Sequence, residues 1–409
     1  MCARDRKRPA MSKRALRQQA KRMAELQSRP AEPSTARENL DLDLDADVTV
    51  RSRGTLHRVS VTVDGEDASG CAVWELQMRV AGVWLKMGGI GGVGTRPEHR
   101  FKGQARRVIV NALRWMRRGG YDVTLLFGIT GFYPKFGYAP AFPRTRSYLD
   151  VDVAAGANAL GYRFVPYGPK YLKRVLGSYH RTVSDMTGPV RRLPKRWRPF
   201  REGLNWGPRI ACRVALDRAG RFAGYYASDD QGATIELVEA SLIDVAGAGD
   251  VLRAAAADAR ERGQERVVLN LPEDDPVVRS ARPLGVLTEI HCARDGGPLF
   301  RLIDVSSTLR KLAPRVGSGF EGMGALSVRT NLDAVGLRWS RGKLKVTDAI
   351  PGSPNAKLPQ WALGQMIVGY ASASSLAAAG VLRAPARAVR AFEEMFPQRP
   401  HFYYANDKF

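Results

Sequence analysis

Between Val93 and Tyr138 the chain reads VGTRPEHRFKGQARRVIVNALRWMRRGGYDVTLLFGITGFYPKFGY, a strand, a basic glycine turn, a helix and a second strand in order. Arg100, Gly103 and Ala105 form an RxxGxA turn behind Pro97, and Val108, Ile109, Ala112, Leu113 and Met116 then recur at helical spacing. The turn opens a helix. A helix start offers unpaired backbone N–H groups and a partial positive charge, and Gly103 has no side chain to hold a phosphate away. Alone, such a turn is most often only a solvated helix start, and its continuation changes that balance. Gly119 and Gly120 end the helix, residues 123–127 read as a short apolar strand, and FYPKFGY follows at 132–138.

This order resembles the acetyl-CoA half of the GNAT acyltransferases. The resemblance implies acetyl-CoA as cofactor. Its pyrophosphate would lie on Arg100, Phe101, Lys102, Gly103, Gln104, Ala105 and Arg106, with Val93, Gly94 and Thr95 along the pantetheine arm and Gly128 and Ile129 on the next strand. Tyr133 takes the place of the general acid. Tyr138 competes with it, although Pro134 biases the Tyr133 backbone away from the helix and fixes its direction. VGTRPEHRFKGQARRVI followed by GFYPKFGYAPA is, more narrowly, similar to the Eis acetyltransferases. TGPVRRLPKRW at 187–197, LFRLIDVSSTL at 299–309 and ALGQMIVGYASASSLAAAG at 362–380 continue the likeness, which runs from about residue 57 to the end.

The implied fold class is mixed α/β: tandem GNAT folds followed by a sterol-carrier-like α+β domain. Its expected divisions are a basic tail and linker at 1–42, a catalytic domain at 43–150, a second, non-catalytic domain at 151–305 and the carrier-like domain at 306–409. The family also suggests a symmetric hexamer. One departure stands out: the family places a strand and two helices ahead of residue 57, and little apolar material for them is present. An altered acceptor pocket is expected.

With 409 residues, 44% hydrophobic and 25% charged, the chain exceeds one ordinary core and reads as a soluble multidomain protein. No apolar run approaches the roughly 20 residues that span a bilayer, and no hydrophobic signal core follows the basic N-terminus. Cys2, Cys71, Cys212 and Cys292 lack CxxC spacing and the histidines lack metal-ligand spacing, which suits a reducing, cytoplasmic setting. The formal charge is +24. Part of it lies in RDRKR at 4–8 and KRALRQQAKR at 13–22, a basic segment that could form a helix but offers little apolar face and reads as a mobile tail, ahead of an acidic linker at 40–47. Nucleic-acid contact is the less favoured reading, because no zinc finger, RNP motif or stacking platform accompanies the charge. A second cluster, RRLPKRWRPFR at 191–201, reads as an exposed helix start.

Residues 57–63, 71–80 and 83–93 read as successive strands, with five glycines between Gly88 and Gly94 that suit a closely approaching backbone or ligand. In the middle region a strand at 162–165, a helix at 171–186 and strands at 210–216, 222–226, 233–239 and 266–271 are expected. Asp250 is expected to cap a helix ending at Gly263, occupying the N–H groups that would otherwise face a phosphate. Beyond a glycine-rich linker at 317–324 come strands at 326–332, 334–339 and 343–347, helical turns at 363–369 and 374–379, and a helix opened by Pro385. The end, RPHFYYANDKF, carries four aromatics and should be docked.

Eis-like chains end in a phenylalanine whose free carboxylate acts as general base, and Phe409 matches it. The reading is thus an N-acetyltransferase in which an amine, on a small molecule, peptide or protein, attacks acetyl-CoA in a ternary complex, Phe409 as base and Tyr133 as acid. A CoA-binding scaffold associated with nucleic acid and a lipid carrier are the alternatives.

Overall fold

The computed structural model describes residues 13–200, 210–319 and 322–409. After helix α1 (Lys13–Gln27), strands β1 (Val48–Arg53), β2 (Leu56–Val63), β3 (Glu66–Val80) and β4 (Val83–Thr95) run antiparallel through short turns. Helix α2 (Gln104–Arg118) returns the chain so that β5 (Val123–Gly128) lies parallel to β4, the pairing a crossover helix permits. The apolar stripe Val108, Ile109, Ala112, Leu113 and Met116 is buried against this sheet. After β6 (Ala139–Pro140) the chain leaves for a second sheet.

That sheet takes β7 (Arg144–Asp150), β8 (Arg163–Pro166), β9 (Ala211–Leu216), β10 (Phe222–Asp230), β11 (Thr234–Leu242), β12 (Arg266–Leu269) and β13 (Leu287–His291) in the order β13-β7-β12-β11-β10-β9-β8. Helices α3 (Val151–Ala155), α4 (Leu172–Thr182), α5 (Ala248–Glu261) and α6 (Pro276–Ala281) accompany it. Strand β14 (Gly297–Leu302) then crosses back and inserts between β5 and β6. The sheets therefore do not follow the chain limits expected at 150 and 305: β7 serves the second sheet and β14 the first.

Helix α7 (Val305–Gly317), for which no element was expected, leads to a third sheet. It holds β15 (Met323–Arg329), β16 (Ala334–Ser340), β17 (Lys343–Asp348) and β18 (Asn355–Lys357), with α8 (Gln360–Val368), α9 (Ala373–Ala378) and α10 (Ala386–Met395) following. Met78, Met87 and Leu125 of the first sheet share one core with Leu326, Leu363 and Phe392. Helix α8 packs on β14 and β6 of the first sheet, and α10 packs on α9 within the same core.

Several expectations need correction. Residues 13–27 form the helix that the basic segment allowed, in contact with the first domain rather than as a mobile tail, while the 4–8 cluster lies outside the described residues. The acidic linker is zipped onto α2: Asp41 pairs with Arg117, Asp43 with Arg118, and Asp45 with Arg107 and Arg114, while Asp47 also bonds Arg107. A two-residue turn at Gly54 and Thr55 joins β1 to β2 where the family has helices. Asp250 does not cap α5; its carboxylate accepts from the backbone N–H of Leu160, Gly161 and Tyr162 at 2.8, 2.8 and 2.7 Å. Within the 191–201 cluster the described part, 191–200, forms no helix, and Arg192 is fully buried.

Among the described residues no helix is long and apolar enough to cross a membrane, and no cluster of side chains is suited to a metal.

Candidate active site

Strands β4 and β5 pair only from Met87↔Val123 to Ile90↔Leu126. Beyond that point they part. On its other side β4 carries a bulge, since Ala72 faces Gly91 but Gly70 faces Gly94, and Gly92 takes φ +58°, a left-handed conformation that glycine adopts without strain. The edge of β4 beyond Ile90 thus faces β5 without a ladder partner there. Val93, Gly94 and Thr95 lie on this edge, half-buried, exposed and half-buried in turn.

At the end of β4 the chain enters the basic turn. Arg100 Nε donates to the Thr95 carbonyl at 3.2 Å, Phe101 has φ +61° and Gly103 φ +79°. A Cβ on Gly103 would meet nothing within 4 Å, and no side chain caps the start of α2. Arg100, Phe101, Lys102, Gly103 and Arg106 are exposed, Gln104 and Ala105 half-buried. The first turn of α2 carries no acidic residue. Uncapped N–H groups, open space at a glycine and surrounding cations fit a phosphorylated ligand.

Tyr133 begins a short 3-10 turn, Tyr133–Phe136, past the end of β5. Its ring lies on Gly128: a Cβ there would stand 2.5 Å from Tyr133 Cδ2. Burial pushes the Tyr133 phenol up to about 12. No hydrogen bond holds its hydroxyl among the described residues, whereas the fully buried Tyr138 hydroxyl is held by Thr124 Oγ1 at 3.1 Å. Ile129, next to Gly128, is exposed.

The C-terminal segment reaches the same place from the opposite face of the sheet. Phe402 N donates to the Thr187 carbonyl at 2.9 Å, and residues 187–191 are in turn bound along β3 through Arg79 and Gln77. Phe409 ends against Trp74 and Phe127, each ring centroid 5.7 Å away, and over Gly89. Trp74 pairs with Gly89 in register, and Gly91 is two residues along the same face. Gly88 faces the other way, toward Met116 of α2. The tail and Tyr133 therefore flank the gap between β4 and β5 from its two faces. The glycine run makes room for Met116 at Gly88, for Phe409 at Gly89 and for the Trp74 ring at Gly91, while Gly94 faces open space.

A Cβ on Gly89 would stand 2.8 Å from two Phe409 ring carbons, closer than carbons tolerate. Gly89→Ala is expected to displace the terminal residue and lower turnover about tenfold or more. In a Phe409→Ala background, which keeps the terminal carboxylate but has no ring to strike, the same change should cost little, as steady-state rates of the four proteins would show.

Sequence reasoning missed what anchors the tail. Arg192, buried, places Nη1 and Nη2 on the two Glu239 carboxylate oxygens at 2.7 Å each, and Nε on Asp407 at 2.7 Å. Its guanidinium lies between the rings of Tyr179 and Trp197, at 3.6 and 4.6 Å. Asp407 also accepts from the Tyr179 hydroxyl at 2.9 Å, and Asn406 bonds Glu239 at 2.5 Å. Burial pushes the Glu239 carboxyl up, but Arg192 and its hydrogen bonds hold it below the usual carboxylate range. The aromatic ending was the only sequence signal for this docking.

Phe409 and Lys408 border a cleft of about 1090 Å³. Trp74, Gly91 and Phe127 line it together with Arg191, Arg196 and Arg198, and Thr55 and Leu56 at the β1–β2 turn contribute as well. In the second sheet the helix start corresponding to the basic turn is covered by chain: a Cβ on Gly249 would stand 1.6 Å from the Asn158 carbonyl oxygen.

Residues 36–141 match the acetyltransferase (GNAT) domain family, and residues 329–404 match the sterol carrier protein domain family. No curated protein matches the chain. A probable N-acyltransferase from Enterococcus faecalis is similar in structure, with TM-score 0.71 and 16% identity over 86% of this chain and 89% of that one. A GCN5-related N-acetyltransferase from Kribbella flavida gives 0.67 and 17% over 86% and 87%. Eis1 from Mycobacterium abscessus gives 0.60 and 19% over 86% and 90%.

Proposed function

We propose that this chain, which carries a GNAT acetyltransferase domain and a C-terminal sterol carrier protein domain, transfers acetyl from acetyl-CoA to a primary amine by direct attack in a ternary complex. The observation that carries this reading is the seating of Phe409 at the gap between β4 and β5, opposite Tyr133. The turn at 100–106 would hold the cofactor's phosphates and the β4 edge at 93–95 its arm, with Gly128 and Ile129 across the gap. An amine attacks only when neutral, and the Phe409 carboxylate, directly or through water, takes its proton. Backbone N–H groups on the unpaired β4 edge stabilise the developing oxyanion. Tyr133 then gives its proton to the departing thiolate. Tyr138 is less suited, because its hydroxyl is engaged by Thr124 in a fully buried site.

The second sheet is scaffold in this reading, because its helix start is filled by residues 157–162. The arginines along the cleft disfavour a polycationic acceptor and suit an amine on a neutral or anionic molecule.

The test is thiol release from acetyl-CoA with a panel of primary amines. Tyr133→Phe is expected to lower the rate about 100-fold. With a phenol pKa raised to about 12, the folded enzyme keeps the Tyr133 proton throughout the range in which amines are assayed. The wild-type rate should therefore not fall between pH 8 and 10 on this residue's account, and the variant's profile should be lower but parallel. A wild-type decline in that range that disappears in Tyr133→Phe would contradict the assignment.

A further inference from the structure

Helix α1 lies across the two lips of the proposed cofactor groove. On one side Gln19 Nε2 donates to the Pro97 carbonyl at 2.9 Å, and the Arg22 guanidinium stands 4.5 Å from the centroid of the Phe101 ring, inside the basic turn. On the other side the helix end meets the loop beyond β5. The carbonyl oxygens of Leu26 and Arg29 each stand 2.6 Å from where a Cβ on Gly131 would be, and Ala31 N and Gly131 N share Asp295 Oδ2 at 3.0 and 2.5 Å. From Gln19 to Leu26 is about 10 Å of helix, enough to bridge from the turn before α2 to that loop.

The seat is shallow. Ala15, Gln19, Met23 and Gln27, spaced by four, are the half-buried residues of α1, while Leu16 and Leu26 are exposed. Two of the four are glutamines, so little apolar area holds the helix down and lifting it costs little. Its charge is one-sided, with Arg14, Arg17, Lys21 and Arg22 against Glu25.

The neighbouring cations are unbalanced in a way the rest of α2 is not. Arg107, Arg114, Arg117 and Arg118 are each paired with an aspartate. Lys21, Arg22, Arg100, Lys102 and Arg106 have no carboxylate partner among the described residues. Cations gathered from two elements repel one another unless an anion lies between them.

We propose that α1 is a strap over the cofactor groove, whose Lys21 and Arg22 join the basic turn in holding the phosphates of CoA. This rests on the acetyl-CoA reading. The strap lifts to admit the cofactor and closes over its phosphates, and the charge-assisted contacts it makes there add to those of the turn.

The test uses the full chain with CoA as the probe. In calorimetric titration Lys21→Ala/Arg22→Ala is expected to weaken CoA binding about tenfold and to reduce its dependence on salt. Both side chains are exposed in the structure, so the fold should be retained. For the wild type, CoA is expected to slow tryptic cleavage after Lys21 and Arg22, followed by mass spectrometry. Unchanged affinity in the double variant overturns the strap, as does faster cleavage with CoA, which would make α1 a plug that the cofactor expels. If Gly103→Val abolishes binding while the double variant does not, the cofactor reading survives and the strap falls. If wild type binds no CoA, both fail, and the wild-type titration alone reveals it.

Discussion

Adding one glycine after Phe409 is expected to lower acetyl transfer by two to three orders of magnitude, on the scale of about 10²–10⁴ for a positioned general base. The extension leaves the ring between Trp74 and Phe127 but turns the α-carboxylate into a peptide carbonyl and moves the negative charge about 3.5 Å along the chain. Deleting Phe409 removes the ring and draws the terminal carboxylate back onto Lys408, one residue from the gap, and should do at least as much damage. Phe409→Ala keeps a terminal carboxylate and loses only the anchoring ring, so its rate should fall between wild type and deletion. Because the base supplies the neutral amine, the loss should be largest at low assay pH and shrink as the pH rises toward the acceptor amine's own pKa, where solvent supplies the neutral form. Binding of CoA should stay within about twofold of wild type in all three, since the basic turn lies apart from the tail. A glycine-extended protein with the wild-type rate would end the assignment of Phe409 as base.

Strands β2 to β5 and helix α2 were legible because their signals are local, whereas β1 lay in residues read as tail and linker. Period-two alternation over 57–63, helical spacing from Val108 to Met116 and the glycines at 119 and 120 each specify an element without help from distant residues. The turn at 100–105 and the Tyr133 segment were legible for the same reason. What could not be read depends on contacts across long stretches of chain. Nothing in TGPVRRLPKRW tells that Arg192 is buried while Arg191 stays exposed, because Glu239 and Asp407 that neutralise it lie 47 and 215 residues away. Asp250 looked like a helix cap because caps are the commonest use of an aspartate there; its three N–H partners at 160–162 became visible only in the fold. The return of β14 to the first sheet was hidden similarly, since a short apolar strand carries no mark of which sheet it completes. The aspartates at 41, 43, 45 and 47 were visible as a pattern, but their use required the arginines of α2.

Arg192→Met should be among the most destabilising single substitutions in the chain, by about 3–5 kcal/mol, the usual cost of breaking a buried ion pair from one side. The size follows from what remains rather than from what is lost. Glu239 and Asp407 have 1% side-chain exposure, so without the guanidinium two carboxylates face each other out of water. They must take up protons or open the site. Opening frees the tail, since Asp407 lies two residues before Phe409 and Asn406 is bound to Glu239. The functional consequence is therefore directional: kcat should fall at least tenfold, with CoA affinity little changed, and backbone amides from 402 to 408 should exchange faster with solvent while those of β3 and β4 keep their protection. Neutralising the whole cluster, with Glu239→Gln and Asp407→Asn added to Arg192→Met, removes the stranded charges and should recover a large part of the stability. Turnover need not recover with it, because the carboxylate of Asp407 also fixes the Tyr179 hydroxyl and the Val190 backbone N–H that position the segment carrying the tail. A triple variant that regains stability but not rate would separate the two duties of the cluster. A single Arg192→Met variant with unchanged stability and unchanged tail exchange would show that the carboxylates find another partner and that the tail is held by its aromatic packing alone.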